Sequence, residues 1–128
     1  MTHDLVVASH GRGMWVFDNI GPLEEYSAPL GAVNFHLFKM QPAAQWQTWN
    51  RGGFGIGAWT GPNPPNGAVV DYWLKSEIKQ TEEMKKQKKD AVKIVVTDAA
   101  GNVVMTEYAP AKEGYNRHVW QLRYEGPK

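Results

Sequence analysis

The chain has 128 residues, the size of one domain, and 42% of them are hydrophobic and 12% aromatic, enough to bury a core. Its 14 basic and 13 acidic residues give a net charge of +1, which excludes a strongly basic nucleic-acid binder and an acidic disordered tail. There is no cysteine, no apolar run approaching the roughly 18 residues of a membrane span, and no basic segment leading into an apolar stretch at the start. We therefore expect no disulfide, no membrane span, no signal peptide and no nucleic-acid partner.

The first predicted element is a β-hairpin. Residues 4–8 and 14–18 are apolar and rich in β-branched or aromatic side chains, and the glycine-bearing segment 10–13 between them is typical of a turn. An isolated hairpin is marginally stable in water, so this one is expected to need a partner sheet. The hairpin is predicted to have one apolar face to bury, formed by the side chains of Val6, Trp15 and Phe17.

A long irregular loop is predicted between Gln45 and Gly67, because the segment is dense in glycine and proline. Loops of this length inside a small domain are uncommon and are often functional. Two interpretations are open: the aromatic side chains fold back over an edge of the core, or they form a platform for a glycan or an extended peptide. The candidate binding residues are Trp46, Trp49, Phe54 and Trp59.

The lysine-rich segment 75–89 contains good helix formers and neither glycine nor proline. One interpretation is a short exposed helix over 76–88 with Ser76 as its N-cap. The other is an irregular excursion between two strands. In either case, lysines interspersed with glutamates are typical of a solvated surface.

The remaining segments alternate as strands do, at 33–38, 68–74, 91–97, 103–108 and 117–124. Several short strands with turn signals between them predict an all-β fold, an antiparallel immunoglobulin- or fibronectin-like sandwich. The side chains predicted to face its interior are Val70, Tyr72, Leu74, Val92, Ile94, Val96, Trp120 and Leu122.

No catalytic constellation emerges from the polar residues. Asp71 alternates away from its apolar neighbours and is predicted to point outward or to lie at an edge, so it forms no paired carboxylate site for glycoside hydrolysis. None of the four histidines has metal-ligand spacing, and His118 is predicted to be partly buried and hydrogen-bonded. We expect no catalytic residues, no metal ligands and no cofactor in this chain.

Three blocks, residues 4–18, 63–75 and 114–127, resemble the C-terminal region of sortilin-like, BNR-repeat β-propeller proteins, which are often named glycosyl hydrolases. In order, the blocks are similar to the last blade hairpin, the first strand of the β-sandwich that follows the propeller, and a later strand of that sandwich. The resemblance implies a propeller-end hairpin with its linker at 1–26 and a sandwich domain at 27–128 that lacks its final strands.

The same resemblance implies a function. This chain would be a non-catalytic accessory module of a larger exported protein, periplasmic or extracellular, with the upstream propeller as its partner. Two alternatives stay open: a glycan- or peptide-binding module that uses the tryptophan-rich loop, and a fragment of a glycosidase-like protein whose active site lies in the propeller. An incomplete sandwich has open strand edges, so either the hairpin folds back to complete the sheet within one chain or two chains pair their edges. We expect the second, a homo-oligomer formed by edge pairing.

Overall fold

The computed structural model describes residues 3–45, 65–86 and 90–124, and most regular structure in these ranges is β-strand in small antiparallel sheets. This confirms the all-β class. Strands β1 and β2 form one sheet, β3, β4 and β7 a second in the order β3-β4-β7, and β5 and β6 a third. The elements in chain order are β1 Leu5–Ser9, β2 Gly13–Phe17, α1 Gly21–Glu25, a 3-10 helix Ala28–Ala32, β3 Phe35–Leu37, β4 Ala68–Leu74, α2 Glu82–Lys86, β5 Val92–Thr97, β6 Val103–Ala109 and β7 Gly114–Trp120.

The main apolar cluster lies between the second and third sheets. Alternate residues of β4 point the same way, and their side chains pack with Ala109 of β6 and with half-buried residues of β5. Tyr72 is the most deeply buried of these, 1% exposed, and its hydroxyl donates a hydrogen bond to the carbonyl of Pro110. The predicted interior positions found in this cluster are Val70, Tyr72, Leu74, Val92 and Ile94.

Strand β7 lies earlier in the chain than the predicted range 117–124. It runs antiparallel to β4 from Gly114 to Trp120, and the chain then turns at Leu122, which has a φ of 58°. The indole of Trp120 donates to the carbonyl of Arg123 at 3.1 Å and supports that turn. The prediction that Leu122 continues the interior face of the strand is therefore wrong, because the strand has already ended.

Gly67 permits the close pairing at the start of β4. Its φ is 145°, and a Cβ at this position would lie 2.2 Å from the carbonyl oxygen of Trp120. Only glycine tolerates both the backbone angle and this approach. The next residue, Ala68, is then paired with Trp120 in the sheet.

The second face of the β3-β4-β7 sheet is also covered. Tyr26 contacts Trp73 edge-on, with ring centroids 6.0 Å apart, and the buried Phe38 lies against Tyr115 at 6.2 Å. Helix α1, which we did not predict, begins in this covering segment, with a proline, Pro22, in its first turn. Residues 19–26, together with Phe38, thus lie over the second face of the sheet.

The charged segment forms a helix that is shorter than predicted. Helix α2 spans Glu82–Lys86, and the backbone N–H of Met84 donates to the hydroxyl of Thr81 at 3.4 Å. The assignment of Ser76 as N-cap is wrong, because the helix begins six residues later, at Glu82. No helix within the described ranges is long and apolar enough to cross a membrane.

Candidate functional site

The predicted binding residues Trp46, Trp49, Phe54 and Trp59 lie outside the described residues, so their role in glycan or peptide binding stays a prediction. The described part of the chain offers three other features. These are an exposed N-terminal hairpin, a polar network around the buried Asp71, and an open cleft beside His118.

The hairpin β1–β2 is apolar and exposed on both of its faces. The exposed fractions of its large apolar side chains run from 41% at Val7 to 69% at Met14. The strand register puts Val6 opposite Val16, whereas Trp15 lies opposite Val7 and Phe17 opposite Leu5. The predicted single apolar face is therefore wrong: side chains alternate between the two faces, and Val6 lies on the face opposite Trp15 and Phe17.

Hydrogen bonds at the root of the hairpin fix it to the rest of the molecule. The backbone N–H of Ile20 donates to the carbonyl of His3 at 2.6 Å, and that of Asn19 donates to Oδ1 of Asp4 at 3.0 Å. Asn19 adopts a φ of 55°, a conformation that asparagine tolerates better than most residues. Its side-chain Nδ2 also donates to Oδ2 of Asp71 at 3.2 Å, which ties the hairpin root to β4.

Asp71 is the buried centre of a polar network on the second face of the sheet. Its side chain accepts hydrogen bonds from the hydroxyl of Tyr115 at 2.6 Å and from Nε and Nη2 of Arg117 at 2.8 and 3.3 Å. Asp71 is 3% exposed, so the prediction that it points to solvent is wrong. The predicted alternation was right, but residues 19–26 and Phe38 lie over the face to which Asp71 points.

The network has the electrostatics of a structural clamp. Burial, and to a smaller extent the hydrogen bond to Asp71, raises the pKa of Tyr115 to about 12. This phenol therefore keeps its proton at neutral pH. The hydrogen bond to Asp71 also raises the pKa of the Arg117 guanidinium. A general acid or base works best with a pKa near the operating pH, and neither group meets that condition.

The cleft lies beside β6 and β7 and has a volume of about 410 Å³. On its wall, Nε2 of His118 lies 2.5 Å from Oε2 of Glu107, and this pair joins the two sheets with side chains that are 18% and 28% exposed. The prediction that His118 is partly buried and hydrogen-bonded is confirmed. Apolar lining comes from Met105, Val119 and Trp120, and Arg123 lies after the turn.

Two other histidine–carboxylate pairs hold the segment that covers the sheet. His3 contacts Glu24 at 2.8 Å, and His36 contacts Glu25 at 2.9 Å. The backbone N–H of Lys39, together with His36, lowers the pKa of Glu25. Across residues 3–45, 65–86 and 90–124, no three His, Asp or Glu side chains lie close enough together to hold a metal ion.

The Asp71 network and the cleft were both missed from the sequence. The sequence feature that could have indicated the network is an aspartate within an apolar strand. A buried charge needs a partner, and Arg117 lies opposite Asp71 in the sheet. The cleft has no comparable signal, because it depends on how β6 is placed beside β7. Comparisons with known protein families, with curated proteins and with solved structures found no match.

Proposed function

We propose that this chain is a non-catalytic accessory β-module that docks through its N-terminal hairpin onto a larger β-structure. The observation that carries the proposal is the exposure of apolar side chains on both faces of β1–β2. Contiguous exposed apolar surface is a mark of an interaction site in soluble proteins. A hairpin with two apolar faces fits between two layers of a partner.

The resemblance of residues 4–18 to the last blade hairpin of BNR-repeat propellers suggests which partner this is. We propose an upstream propeller in the same exported polypeptide, in which β1 and β2 complete the final blade. The cross-strand pairs on each face, such as Val7 with Trp15 and Val6 with Val16, would then lie against neighbouring blades. The rest of the chain would be an immunoglobulin- or fibronectin-like sandwich, an arrangement compatible with two sheets packed around the Tyr72 cluster.

The root of the hairpin supports this role. Asn19 is bonded to Asp4 within the hairpin segment and to Asp71 in the sheet, so the hairpin leaves the sandwich in a fixed direction. A fixed direction lowers the entropy lost on docking. The Asp71 network would then orient the hairpin β1–β2 for docking.

Two measurements test the proposal. The first is the reading frame upstream of Met1, which should encode propeller repeats. The second is co-expression of that upstream segment with the present chain. The two should co-purify, and in the complex the amides of β1 and β2 should be protected from hydrogen exchange. Val16→Lys in the hairpin should abolish co-purification, whereas Val103→Lys, at a similarly exposed valine of β6, should leave it intact.

Two outcomes would contradict this docking role. One is an upstream frame without β-propeller repeats. The other is co-purification that Val16→Lys does not weaken.

Self-association is a second candidate that the same surface favours. Without a propeller, the apolar faces of two hairpins can cover each other, or hairpin edges can pair between copies. Light scattering should then show a mass that rises with concentration, and Val16→Lys should return the chain to a monomer. A strict monomer at high concentration for the unmodified chain would exclude this candidate.

A further inference from the structure

We propose that the cleft between β6 and β7 is a binding site for a neutral saccharide. This inference does not depend on hairpin docking, because it uses other residues of the molecule. The cleft volume of about 410 Å³ falls within the range of roughly 300–1,000 Å³ that is typical of small-molecule sites.

The position of the lining residues defines the shape of the cleft. Consecutive residues of β7, His118 and Val119, both line it, although neighbouring side chains of a strand point to opposite faces. The cleft therefore runs along the strand edge. The turn at Leu122, held by the bond between Trp120 and the Arg123 carbonyl, brings residues 121–123 across one end. A cleft that is covered at one end and otherwise open has room for a short ligand, whereas a polypeptide strand that ran past Trp120 would meet residues 121–123.

The charges in the cleft favour a neutral ligand. Glu107 and Arg123 carry opposite charges, and His118 is bonded to Glu107. Apart from His118, the lining has one acidic and one basic residue, so neither an anion nor a cation meets a surface of uniformly opposite charge. Each charge thus acts against one class of charged ligand.

The side-chain chemistry then selects the class of neutral ligand. The carboxyl group of Glu107, the amide of Gln121 and the guanidinium of Arg123 are planar groups that together offer acceptors and donors. Two adjacent hydroxyl groups of a sugar can form a pair of hydrogen bonds with one such planar group, because their spacing matches that of its two polar atoms. Met105 and Trp120 supply the apolar surface on which the C–H face of a pyranose ring packs.

The test is a titration of the isotope-labelled full chain, followed by amide NMR, with four neutral tetrasaccharides: cellotetraose, xylotetraose, maltotetraose and chitotetraose. At least one should give saturable shifts confined to residues 105–108 and 118–123. Glu107→Gln and Arg123→Ala should each weaken that binding about tenfold, since the first replaces a charged acceptor with a neutral amide and the second removes a charged donor. Arg12→Ala, which removes a matched charge from the exposed hairpin turn, should leave the affinity unchanged.

Three results would overturn the proposal. The first is the absence of saturable shifts in the cleft with all four tetrasaccharides. The second is tighter binding there of tetragalacturonate, an anionic comparator, or of a decapeptide of alternating valine and threonine. The third is saccharide binding that neither Glu107→Gln nor Arg123→Ala weakens. Circular dichroism of both variants establishes that they are folded, so that a loss of binding is attributable to the cleft.

Discussion

The hairpin β1–β2 and the central strand β4 have similar sequences and opposite surroundings. Both are short runs of valine, aromatic and other apolar residues, yet β4 is largely buried and the hairpin is exposed along its whole length. Strand β4 has β3 on one edge, β7 on the other, and packed layers over both faces. An apolar alternating sequence therefore predicts a strand, and the neighbours of that strand decide how much stability it contributes.

The largest expected difference between the two regions is in the cost of deleting an aromatic side chain. Tyr72→Ala should lower the free energy of unfolding by roughly 3–5 kcal/mol, because it leaves a cavity in the main cluster. Trp15→Ala, at a residue that is 49% exposed, should cost less than about 1 kcal/mol. Urea denaturation of the two variants and the unmodified chain measures both values. A loss for Trp15→Ala as large as that for Tyr72→Ala would show that the hairpin is packed in solution.

The second comparison concerns two aspartates. Asp71→Ala should cost about 3 kcal/mol, because it leaves the Arg117 guanidinium and the Tyr115 hydroxyl partly buried without their acceptor. Asp18→Ala, at an exposed position just after β2, should change the free energy of unfolding by less than about 0.5 kcal/mol. Urea denaturation again measures both, and equal effects would mean that the network around Asp71 is not the clamp described above.

Asp71 also shows which structural features could be predicted from the sequence and which could not. Its alternation with Val70 and Tyr72 correctly assigned it to the opposite face of β4, as period-two patterning does for any strand. Patterning could not predict that residues 19–26 and Phe38 cover that face, because this depends on contacts between distant parts of the chain. The same limit applies to Glu107 and His118: each was placed on a strand by local pattern, and their meeting follows from the packing of two sheets.

A smaller effect is expected at Asn19, where the two regions join. Asn19→Ala removes the bond to Asp71 and places alanine at a positive φ, which should cost about 1–2 kcal/mol. Asn19→Gly loses the same bond but tolerates the backbone angle, so it should be the milder change. Thermal denaturation ranks the two. Hydrogen exchange at Ile20 reports whether the hairpin root has opened, and slow exchange in both variants would argue against an anchoring role.

The smallest effect is the share of Tyr115 in a loss of stability at alkaline pH, to which Tyr72 also contributes because burial raises its pKa. The pKa of Tyr115 is raised from 10.0 to about 12, so the folded chain holds this proton more tightly than the unfolded chain does. Its contribution to stability is therefore complete below about pH 10 and is lost as the pH rises toward 12. Urea midpoints at pH 9, 10 and 11 should fall more steeply for the unmodified chain than for Tyr115→Phe, which has no phenol to ionise. Tyr124→Phe, which removes an exposed phenol, should keep the steeper dependence. Identical slopes for the unmodified chain and Tyr115→Phe would show that the Tyr115 proton is not coupled to folding.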